Sequence, residues 1–201
     1  MNRGAAALET RQLPSPVEAV LAGGNSVIVI QPDGLPVPLQ HAPAALTASP
    51  GFGRPAATLS PDSETIIIDC LDGRALIADP LASKWIASWA IPEEIRKEAL
   101  AKIHSLGGPQ ALMVNDVATL GNGLVLVNMS VGIKLAEGAK VLRLTRSGHL
   151  VDTLRLRLPS RSEYKTAHNP EGLMHPAMIE THDRSLLVAD RKGVLAQYIL
   201  Q

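Results

Sequence analysis

Asn115 and Asp116 are adjacent in the sequence and together offer an amide and a carboxylate oxygen. Hard oxygen donors of this kind suit Ca²⁺ or Mg²⁺ better than a softer metal. Glu18 supplies another carboxylate, and a segment carrying His168, Asn169, Glu171 and His175 adds imidazoles that titrate near neutrality. Brought to one place, Asn115, Asp116 and Glu18 are candidate metal ligands, and His168 and His175 are candidate general bases. A plainer reading stands beside each. An Asn-Asp pair at a strand entrance commonly bonds only its local backbone. His168, His175 and His182 recur every seven residues, but Pro170, Gly172 and a strand lie between them, so no helix aligns them and surface positions are the ordinary expectation. Residues 18 and 175 lie far apart along the chain, so the fold decides whether this chemistry exists.

The elements that must position these residues repeat. The segment Pro55–Asp69 and the segment Pro176–Asp190 both run Pro-Ala, a short apolar stretch, a polar turn, a β-rich triplet and an aspartate 14 residues after the proline. A third copy covers Asn115–Asn128, and a looser fourth covers Pro16–Ile30. Each reads as two short strands around a tight turn. Asn122-Gly123 and Gly24-Asn25 are hairpin chemistry because such turns require positive φ. Further turns at Pro32-Asp33-Gly34, Leu71-Asp72-Gly73 and Arg191-Lys192-Gly193 announce third strands. Lys84–Trp89 and Val151–Leu158 are candidate fourth strands, the latter with Leu154, Leu156 and Leu158 on one face and Arg155 and Arg157 on the other.

Three or four antiparallel strands repeated along a chain is the arrangement of a β-propeller blade. The expected class is therefore all-β, with about four propeller-like blades in a single domain spanning 1–201, a complete or an incomplete propeller. A β-sandwich with coincidental turn spacing is the alternative. Pro32, Pro36, Pro38, Pro43, Pro50 and Pro55 forbid a central strand between the first two copies and predict an edge strand plus an extended loop. One inserted helix is expected near 92–106: Pro92 suits its first turn, Glu93 and Glu94 its positive end, and Gly107 its close. Ile95, Ala99, Ile103 and Leu106 form the stripe expected to pack on a sheet. The last module ends near Leu200 without a fourth strand, and the segment Ala7–Leu13 is expected to fill that place.

Copies at 55 and 176 open with Pro-Ala where the third opens with Asn115-Asp116. In a propeller the innermost strand of each blade starts beside the central channel, so this departure puts polar side chains where ligands bind. Asp69 and Asp190 close their second strands and are expected to hydrogen-bond the neighbouring blade. Cys70 follows an apolar triplet and reads as a small buried core residue. Arg143, Arg146, Arg155, Arg157, Arg161 and Lys165 alternate with leucines as the solvated face of outer strands.

Composition excludes several functions. Nineteen Lys plus Arg balance nineteen Asp plus Glu, which argues against a nucleic-acid or anionic-membrane binder. Hydrophobic content of 46% with 19% charged residues describes a folding chain and not a disordered one. A single cysteine excludes an internal disulfide or thiolate cluster. With five aromatic residues, Phe52, Trp85, Trp89, Tyr164 and Tyr198, a sugar-stacking platform is a weak reading. The first apolar run stops at Glu9, too short for a secretory signal, so the expectation is cytoplasmic, or periplasmic or secreted if the chain is truncated. No phosphate-binding glycine loop, nucleophile elbow or zinc motif occurs.

Val114–Gly121 resembles the blade opening of the paraoxonase, gluconolactonase and strictosidine-synthase group of six-bladed propellers, and the copies ending at Asp69 and Arg191 are similar to NHL-type repeats. The resemblance implies that Asn115 and Asp116 help hold a catalytic calcium. Around Glu18 the usual glycine and aromatic companions of the lactonase motif are missing. Two functions follow. The first is a non-catalytic binding or scaffold propeller engaging a protein or small-molecule ligand through rim loops, including 36–54 and 157–175. The alternative is a divalent-metal-dependent hydrolase of lactones or esters, with a metal-polarised carbonyl and His168 or His175 as base.

Overall fold

The computed structural model describes residues 16–23, 26–39, 49–79, 81–82, 84–105, 112, 114–129, 139–156, 177–180, 185–189 and 195–199. They form four separate antiparallel sheets, which excludes the two-sheet sandwich and establishes the β-propeller arrangement. Blade one comprises β1 (Ala19–Gly23), β2 (Ser26–Ile30) and β3 (Pro36–Pro38). Blade two comprises β4 (Pro55–Leu59), β5 (Thr65–Asp69), β6 (Arg74–Asp79) and β7 (Lys84–Ala90). After helix α1 (Glu93–Ser105), blade three comprises β8 (Val114–Thr119), β9 (Val125–Met129), β10 (Ala139–Leu144) and β11 (Leu150–Leu156). Blade four comprises β12 (Ala177–Glu180), β13 (Ser185–Ala189) and β14 (Leu195–Ile199). Within every sheet the strands follow chain order.

The proline-rich stretch forms an edge strand, as its missing N–H groups require: β3 pairs only with β2, placing Val37 opposite Val29. The second strands of blades two and three carry apolar side chains on both faces. Thr65–Asp69 and Val125–Met129 are buried throughout, because a blade is covered by a neighbour on each side. Alternation then sorts their side chains. Ile67 faces blade one with Ile28, Ile30 and Phe52, whereas Ile66 and Ile68 face blade three with Val117, Val125, Val127, Leu142 and Leu144. On the far side of blade three, Ala118, Leu126 and Val141 meet Leu186 and Val188 of blade four.

The helix lies where the sequence predicts. Ala99 is buried in the core between blades two and three, with Ile95 and Leu100 packed beside it, while Glu93 and Glu94 occupy the first turn. The turn between β8 and β9 differs from the hairpin expectation in one respect. Gly123 has φ +82°, but Asn122 does not, and instead its Oδ1 accepts the Leu124 N–H at 3.1 Å. Gly24-Asn25, the Arg191–Gly193 turn and the segment Ala7–Leu13 lie outside the described residues.

One device recurs where consecutive blades join. The turn between a blade's second and third strands accepts backbone hydrogen bonds from the segment leading into the next blade. Phe52 N–H donates to the Asp33 carbonyl at 3.0 Å, and Leu112 N–H to the Leu71 carbonyl at 2.7 Å. Each turn carries a glycine at positive φ, Gly34 at +86° and Gly73 at +75°. A Cβ there would lie 2.8 Å from Phe52 Cδ2 and 2.8 Å from Leu112 Cδ1, respectively. Glycine thus admits both the backbone conformation and the incoming apolar side chain.

Candidate functional site

The innermost strands β1, β4, β8 and β12 pack in succession. Two of them can be oriented from hydrogen bonds. At one end, Cys70 N–H donates to the Arg54 carbonyl at 2.8 Å and Val114 N–H to the Cys70 carbonyl at 3.2 Å, so the entrances of β4 and β8 meet at Cys70. At the other end the Thr119 hydroxyl donates to the Leu59 carbonyl, so both strands run the same way. Glu18 precedes β1 and is fixed by its N–H donating to the Ile30 carbonyl at 2.8 Å.

The entrances of β4 and β8 thus share one end of the fold, beside the Cys70 thiol. Burial pushes this thiol up to about 12, opposed by the Arg54 guanidinium and reinforced by the carboxylates of Asp69, Asp116 and Glu18. The thiol is therefore protonated at neutral pH, a core group and not a nucleophile. Its surroundings show that Glu18 of blade one, Arg54 of blade two and Asp116 of blade three, spread over almost a hundred residues of chain, act on a common point.

The backbone of β8 is irregular at the same place. Val114 pairs with Met129 and Asp116 with Asn128, so Asn115 is the extra residue of a β-bulge. In a regular strand two consecutive side chains point to opposite faces; a bulge re-aims one of them and is a common device beside functional sites. Asn115 and Asp116 are both half-buried, and Asn128, opposite Asp116, is fully buried. Both members of the Asn-Asp pair make polar or electrostatic interactions within the fold.

Asp69 has a different role from the one its position predicts. Its carboxylate is 4% exposed and accepts the N–H groups of Gly53 at 3.1 Å and Leu71 at 2.9 Å. Both belong to the approach and the turn of its own blade, so it braces blade two and does not bond the next one. The reason is the chain path: the segment entering β4 passes the end of β5 and brings the Gly53 N–H to this carboxylate. Nearby, Arg74 is held by Asp72 and lies 5.4 Å from the Phe52 ring centroid, which ties the β5–β6 turn to the 49–54 rim segment.

Of the candidate site residues, the carboxylates of Asp116 and Glu18 both bear on the Cys70 thiol, and Asn115 is the bulge residue next to Asp116. His168 and His175 lie outside the described residues, as does the 157–175 loop. Among the described residues no group of three or more His, Cys, Asp or Glu side chains is arranged to hold a metal. Calcium takes about six to eight oxygens, which Asn115, Asp116 and Glu18 alone do not supply. Sequence reasoning missed Arg54 at the shared end of β4 and β8. The signal was present, because Arg54 precedes Pro55 as His175 precedes Pro176 in the matching copy. Asn128 was missed for another reason: only the pairing of β8 with β9 sets it against Asp116.

No protein-family model matches the chain, and no curated protein matches it. Solved structures do. A Bacteroides caccae protein of unknown function superposes with a TM-score of 0.59 at 13% identity, over 94% of this chain and 59% of that one. A Myxococcus xanthus glutaminyl cyclase gives 0.54 at 12% identity, over 92% of this chain and 74% of that one. YCF48 bound to the D1 peptide gives 0.52 at 11% identity, over 95% of this chain and 53% of that one. The chain thus spans little more than half the length of two of these structures. Likeness at such identity concerns the fold, which is that of β-propeller-type proteins; it does not single out the paraoxonase or NHL groups.

Proposed function

We propose that this chain is a propeller-type binding module that engages a peptide or protein segment at the mouth formed by the entrances of its inner strands. The observation that carries the reading is the meeting of the β4 and β8 entrances at Cys70, with Arg54 and the bulged Asn115-Asp116 pair at that end and the Glu18 carboxylate bearing on the same thiol. Carboxylates and a guanidinium on one rim match the mixed charge of a polypeptide backbone terminus or side chains, and polar anchors of this kind fix orientation in a binding site. YCF48, a fold neighbour, has been solved with a peptide bound, which supports the class of partner. The fold alone does not decide function, since a glutaminyl cyclase shares it.

The test is a randomised peptide array probed with the wild-type chain and with Glu18→Lys, Arg54→Glu and Asp116→Lys. Peptides retained by the wild type are expected to lose at least about tenfold in affinity to each variant, the range set by losing a charged contact of ~1.4 kcal/mol or more. Ile86→Ser, on the outer strand β7, is expected to bind like wild type. Unchanged binding by all three mouth variants would place the ligand elsewhere.

A second reading, a divalent-cation-dependent hydrolase of lactones or esters, draws on the bulge at Asn115, which frees consecutive amide and carboxylate side chains from strict alternation. Asn115, Asp116 and Glu18 would be its ligands, completed by groups such as His168 or His175. Thermal melting before and after a chelator, with metal analysis of the purified chain, decides it. Retained calcium that is lost in Asp116→Ala supports this reading, and an unchanged melt with no bound metal removes it.

A further inference from the structure

At the corner between β5 and β6, Cys70 and Leu71 each carry one hydrogen bond on the side of blade two and one on the side of blade three. Cys70 donates its N–H to the Arg54 carbonyl at 2.8 Å and accepts the Val114 N–H at 3.2 Å. Leu71 donates its N–H to Asp69 Oδ1 at 2.9 Å and accepts the Leu112 N–H at 2.7 Å. The other oxygen of the same carboxylate takes the Gly53 N–H at 3.1 Å. Gly73 closes the corner, its N–H donating to the Asp69 carbonyl at 2.8 Å. The approach to β4 at Gly53-Arg54 and the approach to β8 at Leu112–Val114 are thus joined through this corner.

Asp69 is the one buried carboxylate among the described residues. A Cβ at Gly53 would lie 2.9 Å from Leu71 Cδ1, so the Leu71 side chain lies against the backbone that the carboxylate holds. Hydrogen bonds from backbone N–H groups to a carboxylate are roughly twice as strong as neutral ones, and a dry surrounding strengthens them further. Two polar features depend on the corner. Arg54 is bonded to it through its own carbonyl, and the bulged Asn115-Asp116 pair begins one residue past Val114.

We propose that Asp69 is the positioning residue of the binding end: by holding Gly53 and Leu71 on its two oxygens, it sets where Arg54 stands relative to Asn115-Asp116. This rests on the binding reading given above. Asp69 bonds no group of blade three among the described residues and acts on that blade's approach through Cys70 and Leu71. Asparagine in its place keeps the shape and one acceptor oxygen, but turns the other position into a donor that faces a backbone N–H.

The test is amide hydrogen exchange of the full chain, read residue by residue by NMR, for the wild type, Asp69→Asn and Asp69→Ala. In Asp69→Ala, exchange should quicken about tenfold or more at Gly53 and Leu71, which lose their acceptor. It should quicken also at Leu112 and Val114, whose own acceptors remain, while Val127 in β9 keeps the wild-type rate. Asp69→Asn should give the same pattern with one of Gly53 and Leu71 spared, and it decides the matter if Asp69→Ala does not fold. Quickening confined to Gly53 and Leu71 would make Asp69 a brace of blade two alone and overturns the proposal. Equal quickening at Val127 would make its role one of general stability and overturns it too. Peptides retained by the wild type should bind Asp69→Asn about tenfold more weakly, the loss expected when a charged acceptor is removed. Asp62→Asn removes an equal charge from the exposed turn at the opposite end of blade two and should leave affinity unchanged. Unchanged affinity in Asp69→Asn overturns its role in recognition. A wild-type chain that retains no peptide strikes the binding reading instead, and the exchange pattern by itself then decides whether the corner depends on Asp69.

Discussion

Blades two and four are built from the same repeated pattern, yet they are held differently. Blade two has four strands, a covered face on each side, a carboxylate bracing its approach and turn, and a helix packed against the core it shares with blade three. Among the described residues blade four has three strands, and its apolar cluster lies on the face toward blade three. A blade's stability is thus a property of its neighbours more than of its own hairpins, as expected of quasi-repetitive folds in which each unit is completed by the next. The site follows the same division. Cys70 is buried in the core shared by blades two and three, so the end where Arg54 and Asp116 stand rests on that core.

The sharpest way to break this comparison is to remove matched apolar volume from the two blades. Ile68 in β5 is completely buried between blades two and three. Ile68→Ala should cost about 3 kcal/mol, the usual range for a buried aliphatic replaced by alanine. Leu187 occupies a half-buried position on the face of blade four turned away from blade three, and Leu187→Ala should cost about 1 kcal/mol. Denaturant unfolding of both variants checks the ratio. Equal losses would mean that blade four is covered as fully as blade two.

The next effect concerns how blades are joined. Gly73→Ala forces a Cβ into a backbone at φ +75° and within 2.8 Å of Leu112 Cδ1 and 3.0 Å of Ile91 Cδ1. A loss of about 2 kcal/mol is expected from the left-handed conformation together with displaced packing. Gly123→Ala shares the positive φ but meets nothing within 4 Å, so it should cost only about 1 kcal/mol. The difference between the two isolates the contribution of the incoming Leu112, and a Gly73→Ala variant no worse than Gly123→Ala would show that the join tolerates a shifted leucine.

Sequence alone reveals the local half of this structure. The proline-rich edge strand β3, the helix opened by Pro92 with its acidic first turn, the outer strand at Lys84–Trp89 and the repeat of short strands each depend on chemistry within a few residues. Asn115 and Asp116 could be singled out because one copy departs from its siblings there, and Glu18 because it lies two residues past Pro16 in the first copy. What lay beyond reach is whatever depends on pairing between distant segments. The bulge at Asn115 exists only relative to the register of β9. Asp69 bonds Gly53 because of how the chain crosses the blade, and Arg54 reaches the mouth because β4 and β8 run alongside each other. Period and turn chemistry carry no record of such encounters.

The smallest effect lies on the outer strands of blade three, where the comparison moves from packing to charge. Arg143 of β10 and Asp152 of β11 face each other in register, and the guanidinium donates to both carboxylate oxygens. The hydrogen bonds from Arg143 hold the Asp152 carboxyl below its ordinary value. Asp152 is 42% exposed, so solvent screening limits the pair to roughly 0.5 kcal/mol. A carboxyl whose folded pKa is depressed binds fewer protons in the native state, so its contribution is fully present above the unfolded value near 3.8 and is lost as pH falls through the folded one. Arg143→Ala should therefore lower stability by about that amount at pH 7 and by less at pH 2.5, converging on the wild type. Because the pair belongs to a blade covered on both faces, its loss should leave the unfolding transition as cooperative as before. A broadened transition would show instead that the outer strands of blade three separate on their own, and that charge rather than burial holds them to the blade.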